Sequence, residues 1–133
     1  MKKNKLQAKT HSRASSRFVG RPVEIEEGIS SISELLATED MAVDLQGLVH
    51  GGFIFGLADY AAMLAVNSPL VVLGSAQVKF IAPVKVGEMM KAYAKVESVQ
   101  ARRREVSVEV KVGEKAVFSG SFLCILLDKH VLS

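Results

Sequence analysis

The sequence predicts an α+β fold, in which a curved antiparallel sheet wraps around one long central helix. Two observations predict it: a single, unusually apolar helical segment near the middle of the chain, and a series of alternating segments separated by turns after it. A helix that is apolar on most of its faces has to be buried on most of its faces. An antiparallel meander that follows such a helix can bury it by curving around it.

The length and composition indicate one domain. A chain of 133 residues, 49% of them hydrophobic, can bury one core and is too short for two domains of ordinary size. The single cysteine, Cys124, lies in an apolar run and is expected to be buried in a protein of the reducing cytoplasm. No apolar stretch reaches the roughly 18 residues that span a bilayer, and no secretory signal is present, so we expect no membrane partner.

The net charge of +3 is unevenly distributed along the chain. Residues 1–17 contain six of the 17 basic residues and no acidic one, so the remainder carries 11 basic against 14 acidic residues, a charge of −3. A nucleic-acid-binding domain usually has a basic face on its folded part. The pattern therefore predicts a flexible basic arm over residues 1–20, a domain over residues 21–133, and no nucleic-acid partner.

The first half of the domain is predicted from its turn signals. Residues 21–36 form two short extended segments joined by a glycine turn, which predicts a hairpin, and residues 38–49 are an irregular loop. The helix is predicted from Gly51 to about Val66, because Asn67-Ser68-Pro69 cannot continue it.

The second half of the domain consists of segments with strand periodicity. An antiparallel meander that follows one buried helix in the sequence and wraps around it is the arrangement of the hotdog fold. The four predicted strands cover residues 75–80, 90–100, 105–112 and 116–127.

Two adjacent glycines mark the start of the helix, in Val49-His50-Gly51-Gly52-Phe53. Glycines permit conformations and close approaches that a β-carbon would block. Amides at a helix N-terminus lack intrahelical partners and carry the positive end of the helix dipole. The Gly51 amide is therefore a candidate oxyanion donor for a tetrahedral intermediate. Glycines also begin helices for structural reasons alone, so the interpretation needs a second residue.

Asp59 is that second residue, in the middle of the apolar helix. A carboxylate is costly to bury unless it is paired, faces a cavity or takes part in chemistry. The nearest polar residues in the sequence, Tyr60 and Asn67, are not cations. We therefore favour a catalytic Asp59 over one that is merely satisfied by hydroxyls or amides at a dimer interface.

The spacing of Gly51 and Asp59 predicts a dimer if both are catalytic. Eight helical steps of 1.5 Å separate the two residues by ~12 Å along the helix axis. An oxyanion donor and a base or nucleophile that act on one carbonyl carbon lie within roughly 6–7 Å of each other. Two antiparallel helices related by a twofold axis would pair Gly51 of one subunit with Asp59 of the other.

Three segments carry a resemblance to a known family. His50-Gly51-Gly52-(x)4-Leu57-Ala58-Asp59, Val78-Lys79-Phe80-Ile81-Ala82-Pro83 and Val86-Gly87-Glu88 resemble the hotdog acyl-CoA thioesterases of the phenylacetic-acid-pathway type, over roughly residues 23–126.

The resemblance implies hydrolysis of acyl-CoA without a cofactor, in a homodimer or a dimer of dimers that binds the substrate between subunits. In that family the aspartate that matches Asp59 activates water or attacks directly, and the amide that matches Gly51 binds the thioester oxygen.

The loop before the helix supplies further candidates for substrate binding. In the resembling family, the histidine that matches His50 mainly fixes the loop by hydrogen bonding and is not the base, and Gly52 belongs to the same turn. Asp44 stands where relatives often have asparagine. A second carboxylate there would either raise the pKa of Asp59 by repulsion or cap the helix start.

Three more candidates lie on the predicted strands and turns. Ser75 is a candidate for the serine that assists water in some relatives of the resembling family. The alignment with those relatives places their serine at Leu73, two positions before Ser75. Arg102 and Arg103 are available for the phosphates of coenzyme A, although a solvated hairpin turn explains them as well. No Cys/His cluster has the spacing of a metal site, so we expect no metal.

Three alternative functions remain open, and the cost of burying Asp59 speaks against one of them, a purely structural dimer. Hotdog hydratases place an Asp-x4-His motif in this loop, whereas five residues separate Asp44 and His50, so that class fits poorly. A non-catalytic acyl-CoA sensor would signal through an attached DNA-binding module, and residues 1–20 are too short for a helix-turn-helix. The carboxylate at position 59 favours hydrolysis over the sensor.

Overall fold

The computed structural model describes residues 7–133 and contains one six-stranded antiparallel sheet. The strand order in the sheet is β1-β2-β4-β5-β6-β3. One sixteen-residue helix, α2, packs against this sheet, which confirms the predicted α+β hotdog fold. In chain order the elements are α1 (Ser16–Val19), β1 (Arg21–Glu26), β2 (Ser30–Leu36), a 3-10 turn (Glu39–Met41), α2 (Gly51–Val66), β3 (Val71–Phe80), β4 (Met89–Gln100), β5 (Arg103–Val112) and β6 (Lys115–Leu126).

Helix α2 is buried along most of its length, as its composition predicted. Ten of its sixteen residues are buried, and they pack against aromatic and aliphatic side chains from the concave face of the sheet. Phe118 and Phe122 of β6 are fully buried there. Burial on this scale is the main contribution to the stability of such a fold, at roughly 25 cal/mol per Å² of apolar surface.

Both ends of α2 lie where the sequence predicted them. His50 precedes the helix with an extended backbone, and its side chain accepts a hydrogen bond from Gly52. Asn67 follows the helix in the left-handed conformation, with φ 55°, which asparagine tolerates better than most residues. Pro69 then prevents any continuation of the helix.

Residues 7–20 lie along α2, from Asn67 at its C-terminal end to Phe53 near its start, which contacts Phe18. The Asn67 side chain accepts a hydrogen bond from the Lys9 amide at 2.8 Å and donates one to the Gln7 carbonyl at 3.2 Å. Ala8 packs against a small apolar cluster that includes Tyr60 and Leu64. The described part of the predicted arm is thus in contact with the domain, while residues 1–6 of that arm lie outside the described residues.

Strand β3 begins four residues earlier than predicted. Its register against β6 shifts between Leu73 and Ser75, so that Gly74 forms a bulge. The bulge interrupts the alternation of side chains, which is why the sequence pattern placed the start of the strand after it. Strand β5 begins at Arg103, two residues before the predicted start, and the other two strands of the meander agree with the prediction within one residue at each end.

Strand β3 forms one edge of the sheet. Val71 is buried and Val78 packs against the core, whereas Gly74–Gln77 and Lys79–Phe80 are exposed. Within residues 7–133 no strand pairs with the outer side of β3. None of the described helices is long and apolar enough to cross a membrane.

Candidate active site

The first turn of α2 presents an unpaired amide. No hydrogen-bond acceptor for the Gly51 amide is found among the described residues, as expected for the first residue of a helix. A β-carbon at this position would lie 3.2 Å from the Phe80 ring, so glycine lets the end of β3 approach the helix start. Both residues line an open apolar cavity of ≈ 320 Å³ that also includes Ile54 and Ile81. The geometry agrees with an anion-binding donor beside an apolar surface.

His50 fixes the loop that precedes the helix. Its Nδ1 accepts a hydrogen bond of 2.7 Å from the Gly52 amide, and its own amide donates to the Met41 carbonyl at 2.9 Å. A neutral ring that accepts at Nδ1 carries its proton on Nε2. The Gly52 amide is therefore directed at His50, and within one subunit it does not serve as a second oxyanion donor.

Asp44 organises the same loop in another way. Its Oδ1 accepts hydrogen bonds from the amides of Gln46 and Leu48, at 3.0 and 3.2 Å. The helix start is capped by His50, and burial and His11 account for the pKa shift of Asp59. Neither role expected for Asp44, capping the helix or raising the pKa of Asp59, is seen within the subunit, because its carboxylate is engaged by loop amides.

Asp59 lies on the side of α2 that faces β6. Its Oδ1 is buried and has no hydrogen-bond partner within residues 7–133. Burial raises the pKa of Asp59, and the nearby charge of His11 opposes that rise. Phe55, one helical turn earlier, contacts the ring of Phe122 with centroids 5.6 Å apart. A half-buried carboxylate with a raised pKa is a better base than an ordinary one at neutral pH.

Cys124 shows where the Asp59 carboxylate lies relative to the sheet. Burial and the charges of Asp59 and Glu105 together raise the pKa of the Cys124 thiol to about 12. Cys124 is fully buried on the concave face and pairs in register with Leu73 of β3. Asp59 is therefore close to the beginning of β3, whereas Gly51 is close to its end at Phe80.

Ser75 is separated from Asp59 by the sheet. Ser75 is paired with Leu123, one residue from Cys124, and neighbouring residues of a strand point to opposite faces. Ser75 lines a cavity of ≈ 250 Å³ together with Arg103 and Glu105, on the convex face of the sheet. Within one subunit, Ser75 and Arg103 thus belong to a different surface from Asp59.

Arg102 is paired with a carboxylate of its own subunit. Its guanidinium donates to Asp128 Oδ2 at 2.5 Å, and both side chains are exposed. The ion pair lowers the pKa of Asp128. The described residues contain no group of three His, Cys, Asp or Glu side chains that could hold a metal ion.

His11 is the residue near Asp59 that the sequence analysis did not connect with the site. It belongs to the segment that was assigned to the basic arm, and 48 positions separate it from Asp59. No sequence pattern links the two, because the electrostatic influence of His11 on Asp59 depends on how residues 7–20 fold back along α2.

We expect Asp59→Asn to raise the free energy of unfolding at neutral and alkaline pH. Because burial raises the pKa of Asp59 in the folded state, that state binds the proton more tightly than the unfolded chain does. Stability then falls as the pH rises from the ordinary value of 3.8 through the folded value, and asparagine does not titrate. Urea unfolding at a series of pH values tests this.

The gain from Asp59→Asn should be largest above the folded pKa and should disappear below the ordinary pKa. A gain that does not change with pH, or a loss of stability at pH 8, would contradict the inferred desolvation of the carboxylate.

A family comparison covers both candidate catalytic residues. Residues 46–119, more than half of the chain, match the model of the thioesterase superfamily. The chain belongs to the thioesterase superfamily. The matched region runs from the loop before α2 to β6, so Gly51, Asp59 and the whole of β3 lie within it.

Two curated relatives of this chain are named as proteins of different kinds, an isomerase and a transcription factor. A methylthioribose-1-phosphate isomerase of Aquifex aeolicus is 46% identical over 123 residues, which are 92% of this chain and 26% of that protein. The transcription factor FapR of Caldanaerobacter subterraneus subsp. tengcongensis is 33% identical over 117 residues, 88% of this chain and 58% of the relative. The chain thus spans about a quarter of the first relative and just over half of the second.

Solved structures share the fold over most of the chain. An uncharacterised protein of Pyrococcus horikoshii is 49% identical with a TM-score of 0.94, over 97% of this chain and 98% of that one. A mutant of the phenylacetic acid degradation protein PaaI of Thermus thermophilus is 27% identical with a TM-score of 0.74, over 82% and 95% of the two chains. These likenesses confirm the predicted resemblance to hotdog thioesterases of the phenylacetic-acid-pathway type.

Proposed function

We propose that this protein hydrolyses acyl-CoA thioesters as a homodimer, with Asp59 of one subunit and the Gly51 amide of the partner subunit at each site. The observation that carries the proposal is the Asp59 carboxylate, whose buried Oδ1 has no hydrogen-bond partner among the described residues. Leaving such an oxygen unsatisfied costs about 1–3 kcal/mol or more, which a fold tolerates where the group has another task.

Two hydrolytic routes fit a carboxylate at this position. As a general base, Asp59 takes a proton from water, whose oxygen attacks the thioester carbonyl carbon. The C–S bond then breaks, and the coenzyme A sulfur leaves and takes up a proton. As a nucleophile, Asp59 attacks the carbonyl carbon itself and displaces the coenzyme A thiolate, which takes up a proton; water then hydrolyses the resulting anhydride and restores the Asp59 carboxylate. Both routes yield a carboxylic acid and the free thiol, and both develop an oxyanion that the Gly51 amide would stabilise.

The position of β3 supports a site shared between two subunits. Asp59 lies near the beginning of β3 and Gly51 near its end, and the two are ~12 Å apart along α2. If the open edges of two β3 strands paired antiparallel, the beginning of one strand would meet the end of the other. That pairing would bring Asp59 towards Gly51 of the partner subunit. A dimer of dimers remains a further prediction.

Basic side chains near the end of β3 support a phosphate-bearing substrate. Lys79 is exposed next to the last residue of the strand, and Lys85 follows the Pro83 turn beside the loop of Asp44. Lysine ammonium groups bind phosphates as point charges. We also propose a cytoplasmic location, since the one cysteine is a buried free thiol that suits a reducing compartment.

The test is release of free thiol from a panel of short-chain, long-chain and aromatic acyl-CoAs. Turnover supports hydrolysis, and the preferred acyl group defines the substrate class. An oxygen-ester analogue of the preferred substrate is the matched control, because a thioester has a better leaving group. Absence of turnover with every member of the panel at micromolar enzyme would overturn the proposal.

A second candidate is a non-catalytic acyl-CoA-binding protein that acts as a ligand sensor. The observation that favours it is the 33% identity with a transcription factor over 88% of this chain. Calorimetric titration with the same acyl-CoAs separates the two functions. Saturable binding of intact acyl-CoA without thiol release would favour the sensor, whereas turnover of the bound ligand would exclude a purely non-catalytic role.

A further inference from the structure

The apolar cavity beside Gly51 is built from three parts of the chain. Val49 lies in the loop before α2, Ile54 lies near the start of the helix, and Val84 lies in the connection between β3 and β4. All three side chains are buried. The Val49 amide donates a hydrogen bond to the Val84 carbonyl at 2.9 Å, which holds the loop against the connection. The floor of the cavity is therefore anchored to the fold.

The mouth of the cavity consists of large apolar side chains that are partly open to solvent. Phe80 and Ile81 line the cavity and are each 53% exposed, although these residue types are usually buried. The Phe80 ring contacts the buried Phe118 ring, with centroids 5.2 Å apart. Exposed apolar surface that is contiguous, and not scattered, marks ligand-binding grooves or interfaces. The two side chains thus leave apolar surface available for a ligand in the cavity.

The chemistry of the lining restricts what the cavity can bind. Among the described residues, no charged or hydrogen-bonding side chain lines it. A polar or charged group inside it would lose its hydration without gaining a side-chain partner. The Gly51 amide, which has no acceptor within residues 7–133, adds a hydrogen-bond donor to this apolar surface. An apolar chain attached to one acceptor fits such a lining, and an acyl chain next to its carbonyl oxygen has that form.

The volume of the cavity limits the length of such a chain. A cavity of roughly 150 Å³ holds benzene, which has six carbon atoms. The cavity beside Gly51 has a volume of ≈ 320 Å³, about twice as large, and so holds about twelve carbon atoms. The remainder of a longer chain would lie outside the mouth and would gain no further contacts with the lining.

We propose that this cavity binds the acyl chain of the substrate, so that the preferred substrates are acyl-CoAs with an apolar, unsubstituted chain of up to about twelve carbons. This inference rests on the proposed function, because it takes the Gly51 amide as the donor to the thioester carbonyl. It adds the substrate class, and it assigns to Ile81 at the mouth a part in setting the chain length.

Binding of analogues that cannot be hydrolysed tests the inference separately from turnover. In an S-(2-oxoalkyl)-CoA a methylene group separates the sulfur from the carbonyl carbon, so the carbonyl is kept and the thioester is lost. In calorimetric titration of the full chain, the affinity should rise about two- to fourfold with each added methylene and should level off at about twelve carbons. A medium-chain analogue that ends in a carboxylate should bind about tenfold more weakly, or worse, than one that ends in a methyl group.

Ile81→Trp tests the same inference within the protein. The larger ring occupies part of the cavity, so the affinity should level off at shorter chains, with about tenfold weaker binding of the longest analogues. Ile29→Trp is the matched control, because Ile29 is 51% exposed in the turn between β1 and β2. That turn lies at the other end of α2, where the Gly28 amide donates to the Ala65 carbonyl at 2.8 Å. The control should bind every analogue within about twofold of the wild type.

The results separate this inference from the proposed function. A rise and plateau in the wild type, with a plateau at shorter chains in Ile81→Trp alone, supports an acyl cavity beside Gly51. Affinity that does not depend on chain length, equal binding of the carboxylate analogue, or the same profile in both tryptophan variants overturns it. If the profile is as expected but no thioester is hydrolysed, the proposed hydrolysis fails and the acyl cavity stands. If thioesters are hydrolysed without regard to chain length, the acyl cavity fails and hydrolysis stands.

Discussion

Asp59→Asn is expected to lower kcat/KM for acyl-CoA hydrolysis by about 10²–10⁴-fold. Asparagine has nearly the same shape as aspartate, but it can neither take a proton from water nor attack the thioester. The buried Oδ1 without a hydrogen-bond partner suggests that the carboxylate is not needed to hold the fold together. Thiol release at saturating and limiting substrate separates kcat from KM, and the loss should fall on kcat.

Asp40→Asn is the matched control for that experiment. Asp40 is exposed and, among residues 7–133, pairs with Arg17 on the surface at 2.7 Å, so its replacement removes one solvent-exposed negative charge. Circular dichroism and sedimentation would show that both variants keep the fold and the assembly of the wild type. A folded Asp59→Asn protein that retains activity within about fivefold would contradict a catalytic Asp59.

Gly51→Pro is expected to lower kcat by about 10²–10³-fold, since it removes the amide that would hold the oxyanion. Proline is favoured at the first position of a helix, and His50 already has the extended backbone, with ψ 132°, that precedes a proline well. Gly51→Ala is the control, because it adds the same contact with the Phe80 ring and keeps the amide. The alanine variant should lose much less activity than the proline variant.

The same variant tests whether the site is shared between subunits. A dimer of one Gly51→Pro subunit and one Asp59→Asn subunit would contain one intact site, with Gly51 from the second subunit and Asp59 from the first. Random assortment of equal amounts should therefore restore about a quarter of the wild-type activity. If mixing the two inactive proteins restores nothing although mixed dimers form, the two groups do not act across the interface.

The sequence predicted the parts of this fold that depend on local pattern. Helix α2 was located from Gly51 to Val66 because an apolar stretch and a stop at Asn67-Ser68-Pro69 are both local signals. The start of β3 was placed too late because Gly74 forms a bulge, and a bulge breaks the two-residue period on which a strand prediction depends.

The sequence could predict only those parts of the candidate site that depend on the spacing of residues along one helix. Gly51 and Asp59 were recognised because both lie on α2, eight residues apart. The position of Ser75 depends on the bulge, since one extra residue decides which face of the sheet a side chain occupies. The position of His11 depends on the Asn67 side chain, which accepts a hydrogen bond from the Lys9 amide and donates one to the Gln7 carbonyl, and no periodicity encodes these bonds.

The open edge of β3 has a consequence for handling the protein in solution. Ten residues of backbone at that edge can accept another strand, and the edge carries no proline and a single charged side chain, Lys79. Natural edges usually carry more such protection against indiscriminate strand addition. Whatever covers β3 therefore shields the chain from self-association, so dilution that uncovers it would make the melting temperature depend on protein concentration and would open a route to aggregation.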